Sequence, residues 1–524
     1  MTGDRSRLGL KKNQHIENGK LFVGQVTYKS ACMKISSLPQ KTFVWAILVW
    51  LVLMPTGIAQ NSKTISPIGG ENASFGLCII DTKSGDVVAA HQAETFFTPA
   101  STQKLITAAT LLMCYQPEQR LTTRVFYDGT ISKRGHLSGS LYIRGCGDPS
   151  LGSQYAGTPS DIFIEEVVQA TKKAGISTIS GTVVADDRAM AGNPVVSKWL
   201  WEDVGNYYAA GCYGINYADN LFAATFRTSE PDSQPVLLNI NPEVEGLRID
   251  YSGLSTNRSG RDSAYFYGAP YEYTRRLYGS LPAHRETFTI KGDLPDPPYF
   301  LATQLTEALR HAGIKVIGQP TTARQLHESG EELPGYETEG HLLYLYTSPT
   351  LAEMLRHTLT RSDNLYAEAL LRQVELSVAP TSTLSGSIEQ MKKIWRETGF
   401  PIDGATIYDG SGLSPLNRIT PLMMCKLLAH VTRLGNGGGL LPDLLPKPGE
   451  GTLKRLMPDP AVAPFLRLKS GSMTDVQCYA GYYTGRHTYA VVVMVKHFSD
   501  PRNQVQQEIA DMLSCLFLSI ENDK

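Results

Sequence analysis

The sequence lacks paired cysteines. Eight of its 524 residues are cysteines, and they occur singly, with no C-x-x-C pair among them. The eight positions are Cys32, Cys78, Cys114, Cys146, Cys212, Cys425, Cys478 and Cys515. Cys32 lies in the expected signal segment, so seven cysteines would remain after its removal, an odd number. A disulfide framework needs an even set, and a structural zinc site needs closely spaced ligand pairs. We therefore expect neither, and we expect the cysteines that lie in apolar runs to be buried free thiols.

The sequence also lacks histidines at the spacing of metal ligands, and it has almost no net charge. The eleven histidines show no H-E-x-x-H or similar spacing, so we expect neither a bound metal nor a metal hydrolase. The formal net charge is only -1, so the chain has no large basic field. Nucleic acid and an anionic membrane surface are therefore not expected as partners.

A run long enough to cross a membrane is also missing. The apolar run Phe43–Met54 is shorter than the roughly 20 residues of a membrane span. Lys34 and Lys41 precede it and the small-residue segment Gly57–Ala59 follows, which is the pattern of a secretory signal cleaved after that segment. An uncleaved N-terminal anchor is the alternative. Because 32 residues precede Met33, an unusually long leader, we infer that Met33 is the true start and that residues 1–59 are leader and signal peptide.

Strand patterns occur near both ends of the chain that remains after the signal peptide, and we expect them to belong to one sheet. Ala73–His91 has two apolar runs around a polar turn, as in a β-hairpin, and a helix with apolar residues at helical spacing follows it. Near the C-terminus, three strand patterns precede an amphipathic helix, Gln504–Ile520, with one predicted apolar side. The strands are Leu466–Met473, Val476–Gly485 and His487–Phe498, and the apolar side of the helix is Val505, Ile509, Met512 and Leu516. We predict a discontinuous domain formed by residues 60–118 and 345–524, whose sheet both ends complete.

The middle of the chain contains a weak internal duplication. Lys172–Asp187 and Arg310–Arg324 share a helix end, the tripeptide A-G-I and a strand after a glycine. Between them, Asn206–Arg285 is rich in Tyr, Gly, Asn and Ser, with short strand-like runs. We predict an inserted domain II and, within it, a small β-rich domain III. Domain II would comprise residues 119–200 and 286–344, and domain III residues 201–285.

Three short motifs carry the chemistry. Ser101 and Lys104 form an S-x-x-K pair at a helix start, where a serine is otherwise most often a cap. Ser362-Asp363-Asn364 stands at the head of another helix, and Lys469-Ser470-Gly471 lies in a strand. S-x-x-K, S-x-N and K-[ST]-G in this order are the signature set of penicillin-interacting serine enzymes. The combination is specific, whereas each motif alone is weak.

The spacing gives these residue types a chemical logic. Residues three apart share one face of a helix, so the Lys104 amine can reach the Ser101 hydroxyl. The helix N-terminus favours the alkoxide that develops as the serine attacks. Burial and a second cation such as Lys469 lower the pKa of a lysine, so that it can act as a base. Ser362 can relay a proton, and Asn364 can hold a substrate amide. Lys469, Ser470 and Ser472 offer donors for a carboxylate.

On these motifs the chain resembles the D-alanyl-D-alanine carboxypeptidase/endopeptidase family, the low-molecular-mass class C penicillin-binding proteins of the penicillin-binding protein 4 type. The resemblance extends from about Ser74 to about Ser519. Four longer stretches also carry it: Thr98–Leu112, Gly147–Leu151, Trp201–Gly211 and Tyr408–Pro421.

The resemblance implies a multidomain α/β (α+β) fold and a cofactor-free serine DD-peptidase. A β-lactamase/transpeptidase-like domain, an antiparallel sheet flanked by helices, would carry mainly β inserted domains. Ser101 would attack the carbonyl of a penultimate D-Ala or a D-amino-acid cross-link. The oxyanion would be held by the backbone N–H groups of Ser101 and Ser472, with Gly471 beside them in the strand. Peptidoglycan stem peptides would be the substrates, β-lactams covalent inhibitors and the periplasm the location. For the Asp409–Gly412 turn we expect a structural role.

Two other functions remain open at this point. A serine β-lactamase shares the acylation step, and its class A form uses an additional glutamate and water for deacylation. Glu368 lies one turn after Asn364, and we expect it to pair with Arg361 or Arg372 instead. A non-catalytic cell-wall-binding protein is the second alternative, although all five polar motif residues are present. The balance of carboxypeptidase and endopeptidase work and the oligomeric state have no signature in the sequence.

Overall fold

The computed structural model describes residues 68–156, 160–331, 333, 340–434 and 438–522. The predicted signal peptide, its cleavage point and the start at Met33 lie outside these residues. Among the described helices, none combines the length and the apolar character needed to cross a membrane.

Strands and helices occur mostly in separate runs along the described chain. The strands are β1 (Ser74–Asp81), β2 (Val87–His91), β3 (Arg120–Tyr127), β4 (Thr130–Ile131), β5 (His136–Ser138), β6 (Leu141–Arg144), β7 (Thr178–Ile179), β8 (Val183–Asp186), β9 (Leu221–Thr228), β10 (Val236–Asn241), β11 (Arg248–Asn257), β12 (Tyr265–Tyr267), β13 (Thr274–Pro282), β14 (Arg285–Asp293), β15 (Lys315–Val316), β16 (Thr321–Thr322), β17 (His341–Thr350), β18 (Leu466–Met473), β19 (Val476–Thr484) and β20 (Thr488–Lys496). The helices are α1 (Lys104–Cys114), α2 (Ser160–Lys173), α3 (Pro297–His311), α4 (Ala323–Ser329), α5 (Leu351–Arg361), α6 (Asn364–Leu376), α7 (Leu384–Glu397), α8 (Pro421–Val431), α9 (Leu441–Leu444) and α10 (Arg502–Asn522).

Both ends of the described chain form one antiparallel sheet. Its strand order is β18-β19-β20-β1-β2, and β1 pairs with β20 from Ser74 opposite Lys496 to Asp81 opposite Tyr489. The predicted hairpin and the three predicted C-terminal strands are confirmed. The valine-rich β20 lies in the middle of the sheet, where β-branched side chains buried on both faces suit it.

Helices cover both faces of this sheet. Alternate strand residues such as Ile80 and Val492 pack into a core with α1, α5, α6 and α8. On the opposite face Phe517 of α10 stacks on Tyr483 of β19, with ring centroids 3.9 Å apart and planes 6° from parallel.

The buried side of α10 differs from the predicted one. Val505 and Ile509 are buried as expected, but Leu513 and Phe517 continue the buried side in place of Met512 and Leu516. The C-terminal half of this helix has apolar residues at almost every position, so periodicity alone does not define its buried side. Contact with the sheet selects the residues four apart.

The duplicated segments lie side by side. Each forms a helix followed by two short strands, α2–β7–β8 in the first and α3–β15–β16 in the second. The equivalent strands pair in parallel, β7 with β15 and β8 with β16, and they belong to two neighbouring sheets. These sheets have the orders β15-β7-β5-β4 and β16-β8-β6-β3-β17.

The remaining strands form two small sheets. Their orders are β10-β9-β14 and β11-β13-β12, so the region between the duplicated segments is β-rich as expected. The residue bounds of domains II and III stay predictions.

Candidate active site

Ser101 lies in a 3₁₀ turn, Ala100–Gln103, directly before α1. Lys104, the first residue of α1, donates from Nζ to Ser101 Oγ at 3.1 Å. No side chain caps the N-terminus of the turn or of the helix. The Ser101 hydroxyl therefore faces the lysine amine rather than free backbone N–H groups.

Lys104 is completely buried, and three acceptors surround its amine. Besides Ser101, Nζ donates to Asn364 Oδ1 at 2.6 Å and to the Ser411 carbonyl at 2.7 Å. An ammonium has three N–H groups, so the three contacts satisfy it fully and fix the side chain in one position.

The second motif lies in the connection between α5 and α6. Ser362 follows α5 in the left-handed region, at φ 63°, and Asp363 caps α6 by accepting from the Tyr366 N–H at 3.1 Å. The aspartate, not the serine, does the capping. The Ser362 hydroxyl instead accepts a hydrogen bond from Lys469 Nζ at 2.9 Å.

Asn364 is already engaged through both ends of its amide. Its Oδ1 accepts from Lys104, and its Nδ2 donates to the Tyr208 carbonyl at 2.7 Å. One N–H of the amide is left for a substrate, so the side chain both positions the Lys104 amine and offers a single donor.

The third motif lies on β18, an edge strand of the five-stranded sheet. Lys469 is completely buried and also donates to the Ser470 carbonyl at 2.5 Å. A Cβ on Gly471 would lie 2.7 Å from the Pro99 carbonyl oxygen and 2.9 Å from the Ser101 nitrogen. Only glycine lets β18 approach the Ser101 turn this closely.

The two remaining predicted residues have partners away from Ser101. The Ser470 hydroxyl donates to Thr452 Oγ1 at 2.6 Å, and the Ser472 hydroxyl donates to Gln477 Oε1 at 2.9 Å. The structure thus brings Ser101, Lys104, Ser362, Asn364, Lys469 and Gly471 into one connected site. Ser470 and Ser472 lie on the same strand beside it.

Glu368 does not pair with Arg361 or Arg372, so that expectation is wrong. It lies one turn after Asn364 on α6, and its carboxylate accepts from the N–H groups of Gly410 and Ser411 at 2.8–3.1 Å. Asn364 and Glu368 lie on the same side of α6. Glu368 therefore reaches the turn that contains Ser411, whose carbonyl accepts from Lys104.

Asp409 has the structural role expected for its turn. It accepts from the N–H groups of Gly412 and Ser414 at 2.8 and 2.7 Å and from Asn417 Nδ2 at 2.8 Å. Trp199 completes the set by donating from Nε1 at 2.9 Å. The carboxylate therefore fixes the loop that presents the Ser411 carbonyl.

Burial sets the protonation of the amines. Removal from water lowers the pKa of Lys104 to about 8, while the Asp409 and Glu368 carboxylates act to raise it. The pKa of Lys469 lies well below its ordinary range, because the amine is buried and Lys104 lies nearby. Burial and the neighbouring Asp409 raise the pKa of Glu368 to about 7. A neutral amine next to Ser101 is thus accessible near neutral pH.

Backbone carbonyls are the contributors that sequence patterns do not reveal. Ser411 and Tyr208 act through their carbonyl oxygens, so their residue types give no indication. The Asp409–Gly412 turn was the one available hint for the first. Tyr208 lies in the stretch Trp201–Gly211 that carries the family resemblance, but no sequence pattern indicated the role of its carbonyl or of the Thr452 hydroxyl.

Metal ligation has no candidate in the described part of the chain, where no group of three or more His, Cys, Asp or Glu side chains is arranged to hold an ion. The seven cysteines from Cys78 onward are free thiols, of which four are buried: Cys78, Cys212, Cys425 and Cys478. The site therefore offers hydroxyl, amine and amide chemistry.

Comparison with known proteins identifies relatives over most of the chain. The sequence profile of the D-Ala-D-Ala carboxypeptidase 3 (S13) family matches residues 64–515. The D-alanyl-D-alanine carboxypeptidase DacB of Haemophilus influenzae is 24% identical over 440 residues, which cover 82% of this chain and 86% of that protein.

Solved structures share the fold. The crystal structure of penicillin binding protein 4 (dacB) from Haemophilus influenzae matches with a TM-score of 0.73 at 21% identity, over 86% of this chain and 97% of that one. A complex of the same protein with a novel β-lactam matches over the same shares, with a TM-score of 0.67 at 21% identity. This likeness confirms the predicted mixed α/β, multidomain transpeptidase-like fold.

Proposed function

The chain belongs to the D-Ala-D-Ala carboxypeptidase 3 (S13) family of peptidases, and from that premise we propose that it is a serine DD-peptidase acting through a Ser101 acyl-enzyme. The hydrogen bond between Ser101 Oγ and the buried Lys104 amine carries the proposal. Peptides ending in D-Ala-D-Ala and D-amino-acid cross-links of peptidoglycan are the proposed substrates, in the periplasm.

Acylation begins with neutral Lys104. Ser101 Oγ attacks the carbonyl carbon of the penultimate D-Ala, and its proton passes to Lys104 Nζ. The oxyanion that forms is held by the backbone N–H groups of Ser101 and Ser472. When the C–N bond breaks, the leaving amine takes a proton from the Ser362 hydroxyl, which Lys469 resupplies through the contact between them.

Deacylation restores the starting state. Water attacks the ester carbonyl and gives its proton through Ser362 to the now neutral Lys469. The bond to Ser101 Oγ breaks, and Lys104 returns its proton to that oxygen. One water is consumed, one carboxylic acid and one amine are released, and both lysines regain their initial charge.

The proposed substrate contacts use hydrogen-bond donors of the motif residues. The remaining Asn364 N–H offers a donor to the substrate backbone. Lys469, Ser470 and Ser472 are the proposed receptors of the terminal carboxylate. A related protein from Haemophilus influenzae was crystallised with a β-lactam, which supports the proposal that β-lactams acylate Ser101 here.

The experiment compares the wild type with Ser101→Ala. Purified protein is incubated with uncross-linked and cross-linked muropeptides, and released D-Ala and separated strands are measured by mass spectrometry. We expect the wild type to release D-Ala and the variant to be inactive. Equal rates for the two proteins would sink the proposal. Activity on the uncross-linked muropeptide measures carboxypeptidase activity, and activity on the cross-linked one measures endopeptidase activity.

A serine β-lactamase and a non-catalytic wall-binding protein fit the site less well. Glu368 is committed to two backbone N–H groups, so it is not free to activate a deacylating water. The complete hydrogen-bonded set around both lysines argues against lost catalysis. Stable labelling by a fluorescent penicillin, rather than rapid nitrocefin turnover, is the expected result.

A further inference from the structure

An exposed row of aromatic side chains crosses one face of the sheet β11-β13-β12. We call it the aromatic strip, and its members are Trp201, Tyr267, Tyr278 and Tyr265. The rings of Trp201 and Tyr267 are 6.4 Å apart, and those of Tyr267 and Tyr278 are 5.8 Å apart. Tyr265 is the cross-strand partner of Tyr278. Trp201 is 61% exposed, Tyr278 47% and Tyr265 42%, which is unusual for side chains of this size.

The strip is not part of the sheet's core. That core lies on the other face, where Phe266, between Tyr265 and Tyr267, and Leu277, directly before Tyr278, are buried. A Cβ on Gly253, which pairs with Tyr278, would collide with the Cδ1 and Cε1 atoms of that ring. The missing side chain lets the Tyr278 ring lie against the strand and leaves its other surface open to solvent.

Exposed hydroxyl groups lie two residues beyond the rings, at Ser263 before Tyr265 and at Ser280 after Tyr278. The Ser263 and Ser280 hydroxyls lie 3.0 Å apart and exposed, and Asn257 donates to Ser280 at 2.7 Å. Among the charged neighbours, Arg276 is paired with Glu272 at 3.5 Å, and Asp262 and Lys291 line the cavity next to Tyr265. Flat apolar rings beside exposed hydroxyl groups match a pyranose, which has a C–H face and a rim of hydroxyls.

The strip leads to the candidate active site. Tyr265, at its end, lines a cavity of about 470 Å³ together with Tyr208 and Lys291. The Tyr208 carbonyl accepts from Asn364, which in turn accepts from Lys104. The wall of this cavity therefore includes the residue whose carbonyl holds Asn364, which connects the strip to the Ser101 site through one hydrogen bond.

We propose that the aromatic strip binds the glycan chain from which the substrate peptide hangs. The inference rests on the proposed function, because a peptidoglycan stem peptide is covalently attached to a polymer of N-acetylated sugars. Sugar rings stack on the strip while the stem peptide extends through the cavity toward Ser101. The strip would then favour peptides still attached to glycan over free ones.

The test compares one peptide in two forms. Values of kcat/KM for D-Ala release are measured on a free D-Ala-D-Ala peptide and on the same peptide attached to a short glycan. In the double variant Trp201→Ala and Tyr278→Ala, we expect at least a tenfold loss on the glycan-attached form, mainly in KM. The free peptide should be cleaved within twofold of the wild-type rate.

Conservative and distant variants complete the design. Trp201→Phe with Tyr278→Phe keeps the rings and should restore most of the loss, whereas Leu342→Ala, an equally exposed residue in β17, should change neither substrate. Equal losses on both substrates, or no loss on either, would overturn the proposal.

Glycan binding is also measured without catalysis. Peptide-free glycan strands are titrated into the wild type and the double variant and followed by calorimetry. We expect at least tenfold weaker binding to the variant. If the wild type binds the glycan but cleaves neither peptide, the proposed function fails while the strip assignment stands. If the wild type and the double variant bound the glycan equally well, the proposal that the aromatic strip binds glycan would be refuted, and the proposed peptidase function would be unaffected.

Discussion

Replacing Glu368 with glutamine should move the pH dependence of acylation to lower pH. The carboxylate accepts from the Ser411 N–H at 2.8 Å, and Lys104 donates to the carbonyl of the same residue at 2.7 Å. One residue therefore separates the negative charge from the amine, which places them within about 9 Å of each other. In the wild type this charge favours protonated Lys104.

The size of the effect follows from Coulomb's law. At 9 Å and an effective dielectric constant of about 20, a unit charge changes the free energy of the ammonium by about 1.8 kcal/mol. Since one pKa unit is about 1.4 kcal/mol, the pKa of Lys104 should fall from about 8 by roughly one unit. The pKa of Glu368 is raised to about 7, so the carboxylate is charged mainly above that pH. The two proteins should therefore differ most between about pH 7 and pH 8, and converge below this range and well above it.

The assay is the second-order rate of acylation by a fluorescent penicillin, followed by rapid mixing at a series of pH values around pH 8. A base must be deprotonated, so the rate should rise with pH through the pKa of Lys104, and Glu368→Gln should shift this rise to lower pH. Glu389→Gln is the matched control, because Glu389 is an exposed carboxylate bound to Arg396 on the surface. An unchanged midpoint in Glu368→Gln, or a shift to higher pH, would refute Lys104 as the titrating base.

Three further substitutions test the packing that supports the site. Gly471→Ala introduces a Cβ that would lie 2.9 Å from the Ser101 nitrogen, so acylation should fall by about 100-fold, a barrier increase of about 2.7 kcal/mol, with the fold retained by circular dichroism. A normal acylation rate would show that β18 can move away from the Ser101 turn without a loss of activity. Trp199→Phe removes the donor to buried Asp409 and should cost about 1–3 kcal/mol of stability, seen as a lower Tm; an unchanged Tm would mean that water replaces the lost donor. Phe517→Ala empties a fully buried position and should cost about 3–5 kcal/mol in urea unfolding, whereas a cost near zero would contradict the observed packing of α10.

Hydrophobic periodicity and short motifs predicted the secondary-structure elements correctly where the local sequence pattern was compatible with only one structure. The alternating and β-branched runs gave β1 and β18–β20, and a repeat of A-G-I indicated the two segments whose strands pair in parallel. The three motifs named the side chains that meet around Ser101. In each of these cases local sequence and long-range packing favour the same structure.

The failures concern partners chosen by tertiary packing. Glu368 was expected to form ion pairs along its helix, yet two backbone N–H groups from a distant turn satisfy it. The buried side of α10 depends on a stacking contact with Tyr483, which lies in a different element. The contacts of Asn364 with Lys104 and with the Tyr208 carbonyl were likewise not foreseen, and its predicted role toward a substrate stays a prediction. No local pattern contains the distances that decide these contacts.

The pairing of β1 with β20 has a consequence for the order in which the chain folds. Residues more than 400 positions apart are neighbours in this sheet, as Ser74 and Lys496 are. While the chain is made from its N-terminus, β1 has no central partner, and the loop that must close is among the longest in the molecule. Ser101 and Lys104 emerge early, but Asn364 and Lys469 come hundreds of residues later. A partly made chain therefore carries its nucleophile in a water-exposed setting, where lysine stays protonated and the hydroxyl stays unreactive until the last strands arrive.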